Sequence, residues 1–467
     1  MNFLVIGSGA REHIIAEKLS ESGSTVYSVL TNLNPGLLKL SAGYHSVTAY
    51  NSRDSQISIL DFAKENSVHC VVVGPEDPLA NGMADMFWKH DIPVVGPTRQ
   101  LAQIETSKGF TRDLLERYSI DASPRYRRFK TMNGVSEFID DLGEDYVIKF
   151  DGLMGGKGVK VAGEHLHSKE EALIYCKQLV DRAGTYIIEE KIFGEEFSLM
   201  SFCDGRKLAH MPAVQDHKRA YEGDIGPNTG GMGSYSDSNH SLPFLTEQDI
   251  SGAREINERV FRALIDETGQ GYKGILYGGF MITGNGIQLI EYNARFGDPE
   301  VMNLLTLLAS DFSEICYNIT QGNLGTVTFR NESSVCKYIV PEGYGSNPRK
   351  DATLIVNPGY ARTSSLYYAA VNQIDGEITT TSSRAAALVS SSSTIAKAEE
   401  KCESGLNFIS GNNLYVRHDI AKEELIPRIW QGVGAALILS LLASVLIQNI
   451  AGGLTGSAEK IFEGVAM

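Results

Sequence analysis

The run Glu291-Tyr-Asn293-Ala-Arg295-Phe-Gly297-Asp298-Pro-Glu300 carries the densest chemistry in the chain. It follows an apolar segment, residues 287–290, that reads as a buried strand. Period 2 places Glu291 and Asn293 on one face of that strand. A carboxylate and an amide oxygen side by side suit Mg²⁺, which takes few protein ligands and shares the rest with phosphates and water. Arg295 lies two residues on, a fixed cation for charge that develops during group transfer. The run reads as a holder for a metal-nucleotide; the plainer alternative is a solvated polar strand end.

Other segments point to phosphate. Lys149 lies inside the apolar run Tyr146-Val-Ile-Lys-Phe150, and a lysine buried there needs an anion to meet it. Asp151-Gly-Leu-Met-Gly155-Gly156-Lys157-Gly158 follows directly. Its glycines can wrap backbone N–H groups around phosphates, with Lys157 adding charge, or the segment is a surface loop. The spacing is not that of a Walker A loop. Gln215-Asp216-His217-Lys218-Arg219 and Gly226-Pro-Asn228-Thr229-Gly230-Gly231-Met-Gly233 read as loops. Asp216 and His217 are either acid–base groups or an orienting set. The second loop is rich in residues that expose backbone donors.

The elements that must hold these residues differ along the chain. Residues 3–6, 25–30 and 70–73 are buried-strand runs alternating with helical stretches, which predicts a parallel sheet covered on both faces. The first turn, Gly7-Ser-Gly9-Ala-Arg11-Glu12-His13, has Glu12 where a dinucleotide fingerprint needs its third glycine, so an NAD site is not expected. The turn either binds an anion at the helix N-terminus, favoured by Arg11 and disfavoured by Glu12, or is a tight connection alone. From residue 104 the pattern changes to antiparallel hairpins, one turning at Asp204-Gly205 and one at Gly284-Asn-Gly286. From about residue 331 a third region of short strands begins.

Composition sets the outer limits. A chain of 467 residues, 42% hydrophobic and 21% charged, is expected to form more than one globular domain. A formal net charge of −15 argues against a general nucleic-acid binder. The six cysteines are scattered with no CxxC, which suggests neither a zinc site nor a disulfide framework and fits a reducing cytosol.

Taken in order, Gly7-Ser-Gly-Ala-Arg-Glu-His13, Val73-Gly-Pro-Glu76, residues 149–158, Gln215-Asp-His-Lys-Arg219, residues 226–233 and residues 291–300 resemble the phosphoribosylamine–glycine ligases of the ATP-grasp superfamily, over about residues 1–420. The resemblance implies an N-terminal parallel α/β domain (1–103), a central α+β ATP-grasp domain with a mobile lid (104–330) and a small mixed C-terminal domain (331–425). The implied reaction joins glycine to 5-phosphoribosylamine at the expense of ATP, through glycyl phosphate. By family pattern Lys108 and Lys149 contact ATP phosphates, and Gly155, Gly156, Lys157 and Gly158 close over them. Glu189, Glu190 and Ile192 hold the adenine edge and Glu196 the ribose. Glu291 and Asn293 bind Mg²⁺ or Mn²⁺. Arg295, with Asp216 and Lys218, forms the catalytic set. Glu12, Glu76, Asn228, Thr229, Gly230 and Gly231 line the pocket for glycine and the amine. The only implied partners are these small molecules, in a cytoplasmic monomer or weak homodimer. Two departures stand out. The strand before Glu291 offers no carboxylate at residues 277–280 for a second metal, and Ser382-Ser383-Arg384 replaces a usual Gly-Gly-Arg turn. The competing readings are another ATP-grasp ligase with different substrates and a non-catalytic nucleotide-binding scaffold.

The tail, residues 426–467, has no counterpart in that pattern. No charged residue occurs in 429–458, yet its densest apolar part, 433–447, is shorter than the roughly 20 residues a bilayer span needs. Small or polar residues recur every four positions from Gly432 to Gln448. This predicts an apolar helix that either docks on protein or associates peripherally with a membrane.

Overall fold

The computed structural model describes residues 1–154, 158–182, 184–350 and 352–422. Residues 1–420 form one compact unit, and the apolar tail lies outside the described residues. Among the described residues no helix is long and apolar enough to cross a membrane.

The chain opens with β1 (Asn2–Ile6), β2 (Thr25–Leu30), β3 (Gly43–Ser46), β4 (Cys70–Val73) and β5 (Val94–Val95) in one parallel sheet of order β3-β2-β1-β4-β5. Phe3, Leu4, Val5 and Ile6 are fully buried, as a central parallel strand covered on both faces requires. The turn into the helix Ala10–Glu21 depends on Gly7, whose φ of +129° favours glycine. A Cβ there would come within 2.4 Å of the Glu12 side chain.

Next come β6 (Tyr126–Phe129), β7 (Tyr146–Phe150), β8 (Val159–Val161) and β9 (Tyr186–Glu190), a separate antiparallel sheet of order β6-β9-β7-β8. Its core packs Phe129, Ile148, Tyr186 and Ile188 against the helices Val135–Leu142 and Lys169–Asp181.

The long hairpins follow: β10 (Glu195–Asp204) with β11 (Leu208–Asp216), then the short pair β12 (Arg219–Tyr221) and β13 (Ile225–Asn228), then β14 (Gly233–Ser236). The hairpin β12–β13 corrects the expectation of loops at residues 215–219 and 226–233. Arg219 pairs with Asn228, and the buried Arg417 donates to the Arg219 carbonyl and to Asp224, stabilising a strand pair that Gly and Pro would otherwise disfavour. After the capped helix Glu247–Thr268 come β15 (Lys273–Thr283) and β16 (Gly286–Asn293).

The last region adds β17 (Ser333–Pro341), β18 (Thr353–Val356), β19 (Ser365–Tyr368), β20 (Val371–Ile374), β21 (Glu377–Thr380), β22 (Ala386–Ser392), β23 (Ile409–Asn412) and β24 (Leu414–Val416). It does not stand apart. One sheet runs β16-β15-β10-β11-β14-β17-β22-β19, with β24 on β17, so strands on either side of residue 331 share a hydrogen-bonded ladder. Strands β20, β21, β18 and β23 form a smaller sheet.

Candidate active site

A cleft of about 550 Å³ opens where these layers meet. One wall is built around a buried charge cluster. Lys149, near the end of β7, pairs with Glu189 on β9. Arg112, on the helix Lys108–Arg117, donates to Glu189 at 2.9 Å and to the carbonyls of Leu289 (2.9 Å) and Ile290 (3.0 Å) on β16. The anion that the sequence required for Lys149 is therefore Glu189 itself. Burial works to raise the Glu189 carboxyl, but Arg112 and Lys149 beside it hold it down to about 2. Burial pushes the Lys149 ammonium below its usual value against the pull of Glu189. Asp151, just past β7, accepts from the Gly109 amide (3.0 Å) and the Ser107 hydroxyl (2.9 Å), fixing the helix start from which Lys108 reaches the cleft.

A second cluster surrounds Arg295. Its guanidinium lies 3.0 Å from Glu105 and 3.4 Å from Glu76, and donates to the Phe296 carbonyl. Glu105 also accepts from the Ala294 amide at 2.7 Å. Burial, opposed by Arg295 and reinforced by Glu76, lifts Glu105 to about 7. Glu291 and Asn293 line the cleft from β16, and the Asn293 side-chain Oδ1 accepts from Arg295 at 3.4 Å. Among the described residues no group of three or more His, Cys, Asp or Glu is placed to hold a metal. The donor set here, one carboxylate and one amide, fits a cation that draws its remaining ligands from phosphates and water.

A third cluster comes from β11 and the segment after β16. Lys218 is 2.6 Å from Glu196 and 3.8 Å from the buried Asp216. Burial would lower Lys218, but Asp216 and Glu196 raise it well above its usual value. Glu300 accepts from the Tyr277 hydroxyl at 2.8 Å, and burial together with the nearby Asp216 lifts it to about 7.

The structure brings Lys108, Lys149, Gly158, Asp216, Lys218, Thr229, Gly230, Glu291, Asn293, Arg295 and Glu76 onto this one cleft. Glu196 reaches it through Lys218. Six further expected residues do not line it. Glu12 is buried and turned inward, accepting from the Gly9 amide and from Arg11; Arg11 reaches the cleft instead. Asn228 is exposed on β13, and Gly231 packs behind the wall against Pro299. Glu190, the last residue of β9, and Ile192 beyond it are half-buried. Glu189 is occupied by its two cations, so its side chain is not free for a base edge. Gly155, Gly156 and Lys157 lie outside the described residues. His217 is buried off the cleft, 3.5 Å from Asp224.

Residues that the sequence reading missed include Arg112, Glu105, Glu300, Asp298 and Arg384. Arg112 sits in Lys108-Gly-Phe-Thr-Arg-Asp, which reads as an ordinary charged helix. Glu300 and Asp298 stood inside the run first singled out, and that position was the available signal.

Comparison with known proteins matches three successive family models along the chain. Residues 1–105 match the phosphoribosylglycinamide synthetase N domain, 106–301 its ATP-grasp (A) domain and 334–423 its C domain. The chain belongs to the phosphoribosylglycinamide synthetase family. Curated relatives include the phosphoribosylamine–glycine ligases of Methanocella arvoryzae, 45% identical over 434 residues, and Methanothermobacter thermautotrophicus, 46% identical over 438 residues. Each alignment covers 92% of this chain and 98% of the relative. The crystal structure of the phosphoribosylamine–glycine ligase of Thermotoga maritima is similar with a TM-score of 0.76 at 25% identity, over 90% of this chain and 100% of that one. The biotin carboxylase domain of 2-oxoglutarate carboxylase from Hydrogenobacter thermophilus, solved with MgADP, shares the fold at a TM-score of 0.68 and 16% identity, over 89% of this chain and 91% of that one. The family's chemistry is ATP-dependent ligation in purine biosynthesis, and the chain is an ATP-grasp enzyme of that kind.

Proposed function

We propose that this cleft joins glycine to 5-phosphoribosylamine, giving glycinamide ribonucleotide, ADP and phosphate. The observation that carries the reading is the convergence of Lys108, Lys149, Arg295 and Lys218 with Glu291 and Asn293 in one cleft of the family's fold. A glycine carboxylate oxygen attacks the γ-phosphorus of ATP, the bond to the β,γ-bridging oxygen breaks, and ADP leaves. The amine of phosphoribosylamine then attacks the acyl carbon of glycyl phosphate, phosphate departs, and the nitrogen loses a proton. This route needs no enzyme nucleophile. It needs alignment, charge neutralisation and exclusion of water.

Lys108 and Lys149 hold the phosphates. Residues 189–192, whose side chains do not line the cleft, meet the adenine edge through their backbone, and Glu196 takes the ribose. Arg295 faces the transferring phosphoryl group, held in place by Glu76 and Glu105. Asp216 and Lys218 orient the acyl acceptor, and Glu76, Thr229 and Gly230 shape the acceptor end. Glu291 and Asn293 would hold Mg²⁺ or Mn²⁺, which when bound neutralises the β- and γ-phosphate oxygens. The working division is 1–103, 104–330 and 331–425, in a cytoplasmic monomer or weak homodimer.

The test is ADP release from the purified full chain with MgATP, adding glycine and phosphoribosylamine generated in situ, separately and together. ADP formation that requires both, with glycinamide ribonucleotide as product, is the expected result. Turnover with a different acid or amine would move the assignment to another ATP-grasp ligase. Tight ATP binding without turnover would favour the scaffold.

A further inference from the structure

Arg384 enters the cleft from the last region, just before β22, and both of its terminal nitrogens are already bonded to the protein. Nη1 donates to the carbonyls of Gly230 (2.7 Å), Asp298 (2.9 Å) and Gly231 (3.3 Å), and Nη2 lies 2.9 Å from the Asp298 carboxylate. The guanidinium lies 4.3 Å from the ring centre of Tyr338, whose hydroxyl donates to the same Asp298. Arg384, Asp298 and Tyr338 thus close a ring of contacts. The preceding Ser382 and Ser383 have no positive φ, so this turn is formed without the glycines usual in the family.

What this ring fixes is a wall. Gly231 has φ +103°, a conformation open to glycine, and packs so closely on Pro299 that a Cβ would fall within 2.5 Å of it. Gly230 donates to the Tyr344 hydroxyl at 3.3 Å, and Gly231 to the Thr229 hydroxyl at 3.1 Å. Thr229 in turn donates to the Lys218 carbonyl through its amide (2.7 Å) and its hydroxyl (2.8 Å). Arg384 therefore ties residues 229–231 and 297–300 to the last region, while Lys149, Glu189 and Arg112 stand on other elements and do not touch it.

We infer that Arg384 is a positioning residue for the acceptor end of the cleft, setting the affinity for phosphoribosylamine while leaving MgATP binding alone. The inference rests on the proposed reaction. It assigns Arg384 no contact with substrate.

The experiment compares wild type with Arg384→Ala and Arg384→Lys in the full chain. It reads KM for phosphoribosylamine and for glycine, kcat, and direct MgATP binding. Wild-type dependence on both substrates is measured first; its failure would sink the reaction reading before Arg384 is judged. Arg384→Ala is expected to raise KM for phosphoribosylamine by about tenfold or more, the scale of one lost set of charge-assisted hydrogen bonds. MgATP affinity should stay within about twofold, because the buried cluster that builds that wall is untouched. Added guanidinium should restore part of the lost affinity in Arg384→Ala. Lysine, a point charge without the planar fork, should not restore it. An unchanged KM in Arg384→Ala, or a parallel loss of MgATP binding, overturns the inference. If Arg384→Ala does not fold, Arg384→Lys carries the test, and a wild-type KM there overturns it equally.

Discussion

Replacing Glu189 by glutamine removes one negative charge from between two buried cations while keeping shape and volume. A carboxyl moved from 4.5 to about 2 is stabilised in its ionised form by about 3 kcal/mol, at roughly 1.36 kcal/mol per tenfold change in proton affinity. Removing one partner of a buried pair costs roughly 3–5 kcal/mol by general experience, which agrees in size. Unfolding entropy of about 2.1 cal/mol/K per residue, over the unit Met1–Ile420, converts that loss to a Tm lower by roughly 3 °C. The pH dependence has a definite sign. A depressed carboxyl contributes its full stability above its unfolded value of 4.5 and loses it as pH falls toward about 2. The gap between wild type and Glu189→Gln should be constant above pH 5 and narrow by roughly 1 kcal/mol on going down to pH 3.5. Thermal melts and urea unfolding across that range provide the measurement, with Glu190→Gln, at a half-buried neighbour, as the control. Melts that overlay at pH 7, or a gap that widens on acidification, would refute the account of this cluster.

Two further outcomes follow from the same geometry. Glu291→Ala should abolish ADP formation while leaving the melt within about a degree of wild type, since the half-buried side chain lines the cleft; turnover at the wild-type rate would contradict its metal role. Gly7→Ala meets both a positive φ and the Glu12 side chain, so a loss of at least about 1–2 kcal/mol is expected. Adding Glu12→Ala should recover the steric part and leave the backbone part, as a double-mutant cycle on thermal melts would resolve.

What the sequence disclosed was local. The buried strand 3–6, the hairpins turning at residues 204–205 and 284–286, and the pairing of Glu291 with Asn293 on one strand all follow from periodicity and turn residues within a dozen positions. What stayed hidden was long-range. Arg112 carries no mark of burial in its own helix; only its reach to Leu289, Ile290 and Glu189 shows its role. The hairpin at residues 219–228 was masked by glycine and proline, because its stability comes from Arg417, nearly two hundred residues away. The same holds for Arg384, whose partners lie at 230, 231, 298 and 338.

The cleft is built on foundations of unequal stiffness. Its acceptor side rests on a continuous beam, the ladder from β16 across to β19, in which every strand is bonded edge to edge with its neighbour. Its nucleotide side rests on a separate plate, β6-β9-β7-β8, that shares no ladder with the beam. Arg112 is a pin between them, bonded to Glu189 on the plate and to β16 on the beam. A plate that shares no ladder with the beam can change its angle to it without breaking any strand pairing, the freedom that the proposed nucleotide site would need in order to close.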